Sequence, residues 1–101
     1  MVSRYETLLL LSPEFGAEQR QEIVATLTGI IERDGGKMVV VDDWGAKNLA
    51  YPVRKFTRGY YIRLEFETDG KNIAELERNI RINEDIFKFV TVRLTVESEE
   101  K

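Results

Sequence analysis

The unbroken apolar run Leu8–Leu11 is the feature that most limits what this chain can fold into. It closes an extended segment that begins at Tyr5 and is interrupted by Ser12-Pro13. A strand with apolar residues on both of its faces is typical of the centre of a sheet, where both faces are covered. The run therefore predicts a central strand with a sheet built around it.

Two helices are predicted from apolar residues that recur with helical spacing. The first begins near Gly16 or Ala17 and ends at Gly35-Gly36, because glycine accepts the left-handed conformation that closes a helix. The second follows a turn at residues 68–70. Their apolar stripes are Ile23, Leu27, Ile30 and Ile31 in the first helix, and Ile73, Leu76 and Ile80 in the second.

Three more strands are predicted after the first helix. The second strand runs from Lys37 to Asp43 and is rich in valine, and residues 44–56 prolong it as an arm toward a turn near Phe56–Gly59. The third strand, Tyr60–Glu67, alternates apolar and polar side chains. The fourth runs from about Phe87 to Val96.

The resulting order, βαββαβ, is that of the α+β class with a ferredoxin-like fold. In this fold a four-stranded antiparallel sheet carries two helices packed on one face. A chain of 101 residues has the size of one domain. We therefore predict a single domain over residues 1–96 and an acidic C-terminal tail over residues 97–101.

The residue types that the chain lacks exclude several classes of enzyme and metal site. Without histidine and cysteine, neither a Ser-His-Asp or Cys-His nucleophile nor a zinc site with these ligands can form. The acidic pairs Asp42-Asp43, Glu84-Asp85 and Glu99-Glu100 remain, but adjacent carboxylates in a strand or loop rarely converge on one ion. We predict a protein that is not an enzyme and that has no catalytic residue, metal or cofactor.

The predicted location of the chain is the cytoplasm. No stretch approaches the roughly 20 apolar residues that a membrane helix needs, and the N-terminus lacks the pattern of a signal peptide. The absence of cysteine is consistent with a reducing compartment. We expect no contact with a membrane.

Positive charge is confined to one segment of an otherwise acidic chain. The net charge is −3, yet residues 44–64 contain no acidic residue and carry +5, from Lys47, Arg54, Lys55, Arg58 and Arg63. Clustered cations attract phosphate without regard to sequence. The same segment holds rings that can stack on unpaired bases, namely Trp44, Tyr51, Phe56, Tyr60 and Tyr61. RNA contact is predicted, with a hairpin whose rings only pack on the core as the alternative.

A second group of cations lies late in the chain, at Arg78, Arg81, Lys88 and Arg93. Arg78 and Arg81 are three residues apart and so share one face of the second helix. Acidic residues such as Glu75 and Glu77 lie close in sequence. Local ion pairing is therefore the alternative to RNA binding for this group.

The first and last strands carry more apolar residues than one covered face of a sheet requires. Leu8 and Leu10 lie on one face of the first strand, and their neighbours Leu9 and Leu11 lie on the other. In the last strand Phe87 and Phe89 share one face, and the other face holds Val90, Val92, Leu94 and Val96. Because these two strands are neighbours in this topology, a continuous apolar stripe is predicted on the helix-free face. Such stripes usually mark a protein interface; the alternative is a modest stripe shaded by the stems of Tyr61 and Arg63.

Several short segments of the chain are more specific than its periodicity. The most specific is Leu49-Ala50-Tyr51-Pro52, followed by Lys55 after two intervening residues. The others are Arg4-Tyr5-Glu6, Ser12-Pro13, Trp44-Gly45, Gly59-Tyr60 and Arg78 to Ile82. With these segments the chain resembles the bacterial small-subunit ribosomal protein six family over nearly its whole length.

The resemblance implies a structural protein of the small ribosomal subunit that binds the central domain of 16S rRNA. It also implies a heterodimer with the small basic ribosomal protein eighteen, with this chain a monomer when isolated. The residues expected to bind rRNA are Arg4, Lys47, Arg54, Lys55, Arg58, Arg78, Arg81, Lys88 and Arg93. Those expected to contact the protein partner are Leu8, Leu10, Tyr61, Val90, Val92 and Leu94.

Two other functions are known for chains with the same fold class and are kept as alternatives. A small enzyme of the acylphosphatase type would need a phosphate loop, but Ser12–Gly16 contains a proline and an acid where anion-binding amides are required. A ligand-sensing module would pair two copies of the chain sheet to sheet through the apolar stripe. Sedimentation of the isolated chain separates such a homodimer from a monomer.

Overall fold

The described part of the chain has the predicted βαββαβ order. The computed structural model describes residues 2–14 and 16–96, with the backbone alone at 95 and 96. The elements are β1 (Val2–Leu11), α1 (Ala17–Arg33), β2 (Lys37–Val53), β3 (Phe56–Asp69), a short 3-10 turn (Gly70–Asn72), α2 (Ile73–Arg81) and β4 (Ile86–Val96). The predicted acidic tail, residues 97–101, lies outside the described residues.

The four strands form one antiparallel sheet in the order β2-β3-β1-β4. Strand β1 lies between β3 and β4, with Leu9 opposite both Ile62 and Phe89. This confirms that the apolar run belongs to a central strand and that the first and last strands are neighbours. The ferredoxin-like fold predicted from the sequence is therefore confirmed.

The hydrophobic core lies between the sheet and the two helices. Its most deeply buried members on the sheet are Leu9, Leu11, Ile62, Leu64 and Phe66. Of the predicted helical stripes, Ile23, Leu27 and Ile31 of α1 and Leu76 and Ile80 of α2 are buried. The remaining two members, Ile30 and Ile73, are partly buried and pack against the core. Neither α1 nor α2 covers the opposite face of the sheet, and this open face carries part of the candidate site. No helix among the described elements is long and apolar enough to cross a membrane.

The predicted position of the β2–β3 turn was wrong. The turn was expected near Phe56–Gly59, but β2 continues to Val53 and β3 begins at Phe56, so the turn is Arg54-Lys55. The predicted arm is thus a two-stranded ribbon, in which Asn48 lies opposite Arg58. Its pairing is irregular between residues 48 and 53, and the ribbon runs past the end of β1 at Leu11. Because little of the ribbon packs on the core, its side chains lack the alternation that revealed the other strands.

The predicted end of α1 at Gly35-Gly36 is confirmed in detail. Gly35 has a φ of +90°, and its N–H donates to the carbonyl of Glu32, while the N–H of Gly36 donates to the carbonyl of Ile31. These two hydrogen bonds form a Schellman motif. A Cβ on Gly36 would lie 2.7 Å from the carbonyl oxygen of Glu67 and 2.8 Å from Cγ2 of Ile31.

We expect Gly36→Ala to lower the free energy of unfolding by about 2 kcal/mol, because backbone and core atoms would have to move apart. The matched control is Gly29→Ala inside α1, where a Cβ would meet nothing within 4 Å. Its expected effect is a gain of about 0.5–1 kcal/mol from helix propensity. Urea unfolding of both variants checks the pair, and equal effects would contradict the packing assigned to Gly36.

Candidate functional site

An apolar stripe crosses the open face of the sheet, as predicted. Leu8 of β1 lies opposite Val90 of β4, and Val92 follows Val90 on the same face. Val90, Val92 and Leu94 are 60%, 46% and 42% exposed. Branched side chains at such exposure leave a continuous apolar surface in water, which is unfavourable unless a partner covers it. The side chain of Val96, also predicted to belong to the stripe, lies outside the described residues.

Leu10 has a different position from the rest of the stripe. It is only 4% exposed, and it forms the floor of a shallow pocket of about 190 Å³ whose walls include Leu8, Tyr61 and Val90. A Cβ on Gly59 would lie 2.5 Å from Cδ1 of Leu10, so the absence of a side chain at Gly59 lets β3 approach it. Leu10 therefore shapes the stripe without offering much surface to a partner.

A network of ion pairs lies beside the stripe on the same face. Arg63 donates to Glu65 at 2.6 Å, to Glu6 at 2.9 Å and to Asp42 at 3.0 Å. Arg4 donates to Glu67 at 2.6 Å and to Glu65 at 3.2 Å. Two guanidinium groups are thus shared among four carboxylates, which leaves an excess of negative charge.

The network holds both guanidinium groups in their charged form. Hydrogen bonds to Glu65 and then Glu6 raise the pKa of Arg63, and the hydrogen bond to Glu67 raises the pKa of Arg4. Arg4 was expected to bind rRNA, but here its charge is already compensated by two carboxylates. Asp42 lies in β2, and the other five residues lie in β1 and β3, where strand alternation places them on one face. Most of the network could therefore have been predicted from the sequence.

The tip of the β2–β3 hairpin has an unusual backbone. Arg54 and Lys55 have φ values of +50° and +71°, as in a type I′ turn, which strongly favours asparagine and glycine. For a residue with a Cβ, the left-handed conformation costs roughly 1–2 kcal/mol. Two cations therefore occupy the tip against the preference of its backbone.

The tip packs against the start of β4. Nη1 of Arg54 donates to the carbonyl oxygen of Glu84 at 3.0 Å, and its guanidinium lies 4.9 Å from the centre of the Phe87 ring. Phe56 stacks on the same ring, with centroids 5.7 Å apart. Farther along, Nζ of Lys88 lies 5.7 Å from the Tyr51 ring. The ribbon is thus held by contacts at its far end as well as by the sheet.

The other hairpin cations are exposed and lack acidic partners. Within residues 2–14 and 16–96, no carboxylate forms an ion pair with Lys47, Lys55 or Arg58. Of the five rings predicted to stack on bases, Trp44 and Tyr51 are exposed. The other three are only partly exposed, and each has a protein contact: Phe56 with Phe87, Tyr60 with Arg20 and Tyr61 with Trp44. The hairpin therefore presents unpaired positive charge and two exposed aromatic side chains.

Two of the four late cations, Arg78 and Arg81, are paired with carboxylates close to them in sequence, as the alternative interpretation predicts. Arg78 donates to both carboxylate oxygens of Glu75 at 3.0 Å, and this lowers the pKa of Glu75. Arg81 lies 3.5 Å from Glu77 and over the ring of Phe89. These pairs are exposed and so contribute little to stability. Arg93, in contrast, has no acidic partner within the described part of the chain.

The described residues include no group of three or more acidic side chains placed to hold a metal ion. Of the acidic pairs noted in the sequence, Asp42-Asp43 is engaged in other contacts. Asp42 binds Arg63, whereas Asp43 lies 3.4 Å from Arg20 and accepts the N–H of Gly45. The pair Glu99-Glu100 lies outside the described residues.

Comparison with known proteins gives one consistent result. A family model described as "Ribosomal protein S6" matches residues 4–93. A relative from Oleidesulfovibrio alaskensis, named "Small ribosomal subunit protein bS6", is 58% identical over 97 residues, 96% of each chain. A relative of the same name from Geotalea daltonii is 40% identical, over 93% of this chain and 73% of its own.

A solved structure agrees with the sequence relatives. The crystal structure of 30S ribosomal protein S6 from Thermotoga maritima superposes with a TM-score of 0.87 at 32% identity. The match covers 93% of this chain and 89% of the other. The similarity therefore extends over nearly the whole chain.

Proposed function

Because this chain belongs to the ribosomal protein S6 family, and so is a structural, non-enzymatic component of the small ribosomal subunit, we propose how it is held there. It binds the central domain of 16S rRNA together with the small basic ribosomal protein eighteen, as a heterodimer. The observation that carries this proposal is the separation of two surfaces. Unpaired cations lie on the hairpin, and apolar residues lie on the open face.

The hairpin supports the rRNA contact. Lys47, Lys55 and Arg58 have no acidic partners among the residues described, so phosphate can approach them without first displacing a carboxylate. Trp44 and Tyr51 belong to the same strand, β2, are exposed, and suit stacking on unpaired bases. The late cations would extend this contact. Lys88 and Arg93 can do so directly, whereas Arg78 and Arg81 would first have to leave their exposed ion pairs.

The open face supports a basic protein partner. Val90, Val92 and Leu94 offer the apolar surface that gains most from being covered. The adjoining network has twice as many carboxylates as guanidinium groups, which favours a partner of positive charge. The same excess disfavours a homodimer through this face, because two copies would bring like charges together. A basic partner also explains how an acidic chain binds RNA, since the partner neutralises part of the phosphate charge.

The proposed mechanism is cooperative binding. A partner seated on the stripe lies next to Lys88, which is itself beside the hairpin ring Tyr51, so each protein can order part of the other's RNA contact. The acylphosphatase alternative is set aside, because the family to which the chain belongs is one of structural ribosomal proteins.

Crosslinking on the assembled small subunit tests the proposal. We expect Lys55 and Tyr51 to crosslink to central-domain rRNA, and residues next to Val90 to crosslink to the basic protein. Crosslinks from the hairpin to protein alone, or from the stripe to RNA alone, would contradict this assignment of the two surfaces.

A further inference from the structure

The hairpin tip places two cations side by side in a conformation that asparagine and glycine adopt more easily. We propose that the two residues have different tasks: Lys55 contacts phosphate, and Arg54 is a positioning residue that fixes the tip against the corner between α2 and β4. This division rests on the proposed rRNA binding and deepens it. From the sequence alone, both residues are expected to bind rRNA.

The strained backbone of the tip indicates that Arg54 and Lys55 have a function beyond closing the turn. Left-handed φ values at successive residues with side chains are unfavourable, and such conformations persist where the surrounding structure holds them for a purpose. An uncharged Asn-Gly pair would close the same turn with less strain. The cations therefore contribute something that the turn itself does not need.

The contacts of Arg54 point to positioning. Its Nη1 donates to the carbonyl oxygen of Glu84, and its guanidinium faces the ring of Phe87. The ring of Phe56, next to the tip in sequence, stacks on Phe87 as well. These contacts join the tip to the start of β4, although residues 56–59 of the ribbon extend past the end of β1 and are not paired with it.

The surroundings of Lys55 differ from those of Arg54. Lys55 is exposed, and no hydrogen bond or ion pair of its side chain is formed with any residue in 2–14 or 16–96. Its ammonium group is therefore available to phosphate, while Arg54 limits where the tip can move. When Arg54 fixes the tip, Lys55 loses less conformational freedom on binding phosphate than it would at the end of a mobile ribbon.

The salt dependence of rRNA affinity separates the two tasks. The full chain, with the basic partner present, is titrated with a central-domain rRNA fragment at several KCl concentrations. Lys55→Gln is expected to reduce the slope of log affinity against log salt by about 1, because one phosphate contact is lost. Arg54→Gln is expected to weaken binding about 10-fold at every salt concentration with nearly the same slope, because the loss is one of preorganisation.

Two further variants distinguish a specific loss of binding from a general loss of folded structure. Arg54→Lys keeps the charge but loses the planar fork, so it should weaken binding almost as much as Arg54→Gln. Lys55→Gly relieves the strained φ, so it should raise the melting temperature by a few °C and still reduce the salt slope by about 1. Better folding with weaker binding cannot come from a damaged fold.

The outcomes are distinguishable. Equal reductions of the slope by Arg54→Gln and Lys55→Gln would overturn the division, since both residues would then contact phosphate. An unchanged slope in Lys55→Gln would overturn the contact assigned to Lys55. If the wild-type chain and its partner together show no affinity for the fragment, the proposed function itself fails, and this inference with it.

Discussion

Replacing Val90 by glutamate is expected to lower the affinity of the chain for the basic partner about 100-fold or more. Val90 is the most exposed residue of the apolar stripe, and it lies beside Leu8 in the middle of the surface that a partner would cover. Covering a carboxylate there removes it from water without a hydrogen-bonding partner, which is far more costly than losing one apolar contact. Isothermal titration of the two purified proteins measures the effect.

The matched control for Val90→Glu is Val41→Glu. Val41 lies in β2, at the other edge of the sheet, and its 47% exposure is similar to that of the stripe residues. Both changes add one negative charge to an exposed valine of an edge strand. We expect the Val41 variant to retain wild-type affinity for the partner. Equal losses in the two variants would contradict the position assigned to the protein interface.

Removing the three unpaired hairpin cations is expected to have the largest effect on RNA binding. In the variant Lys47→Gln/Lys55→Gln/Arg58→Gln, the slope of log affinity against log salt should fall by roughly 2–3, since each phosphate contact contributes about 0.7–0.9. At moderate ionic strength the affinity for central-domain rRNA should fall about 100-fold. Titration over a range of KCl concentrations gives both quantities.

A second triple variant controls for net charge. Arg33, Lys37 and Lys71 are exposed cations near the opposite end of the sheet from the hairpin. Changing them to glutamine alters the net charge by the same amount. We expect this variant to shift the affinity only slightly and to keep most of the slope. A loss as large as that of the hairpin variant would show that total charge, not the hairpin, governs binding.

Most of the fold was predictable because its elements pack on one core. The apolar run of β1, the alternation of β3 and the stripes of both helices each followed from burial on a known face. The end of α1 was predictable as well, since Gly35 and Gly36 close the helix by local backbone geometry.

The hairpin was harder to predict because its conformation depends on contacts far away in sequence. Turn chemistry would place glycine or asparagine at the tip, so the pair Arg54-Lys55 gave no sign of a two-residue turn. The ribbon is held by Phe87 and Glu84, about 30 residues later. Such pairing is decided by tertiary structure, which local propensity does not contain.

The candidate site was predicted in outline and refined by the structure. The stripe of Val90, Val92 and Leu94 is exposed as expected, whereas Leu10 is covered. The cations divide into unpaired ones on the hairpin and ones such as Arg4 that already contact carboxylates. Charge counting along the sequence cannot make this distinction, because the compensating residues of β1, β2 and β3 meet only across the sheet.

Filter binding to central-domain 16S rRNA, with and without the small basic ribosomal protein eighteen, measures whether the two surfaces bind cooperatively. The two surfaces are proposed to act together, so the affinity of this chain for the rRNA should rise about 10-fold or more when the partner is present. The Val90→Glu variant should bind equally in both conditions. Equal affinity of the wild-type chain with and without the partner would contradict cooperative binding.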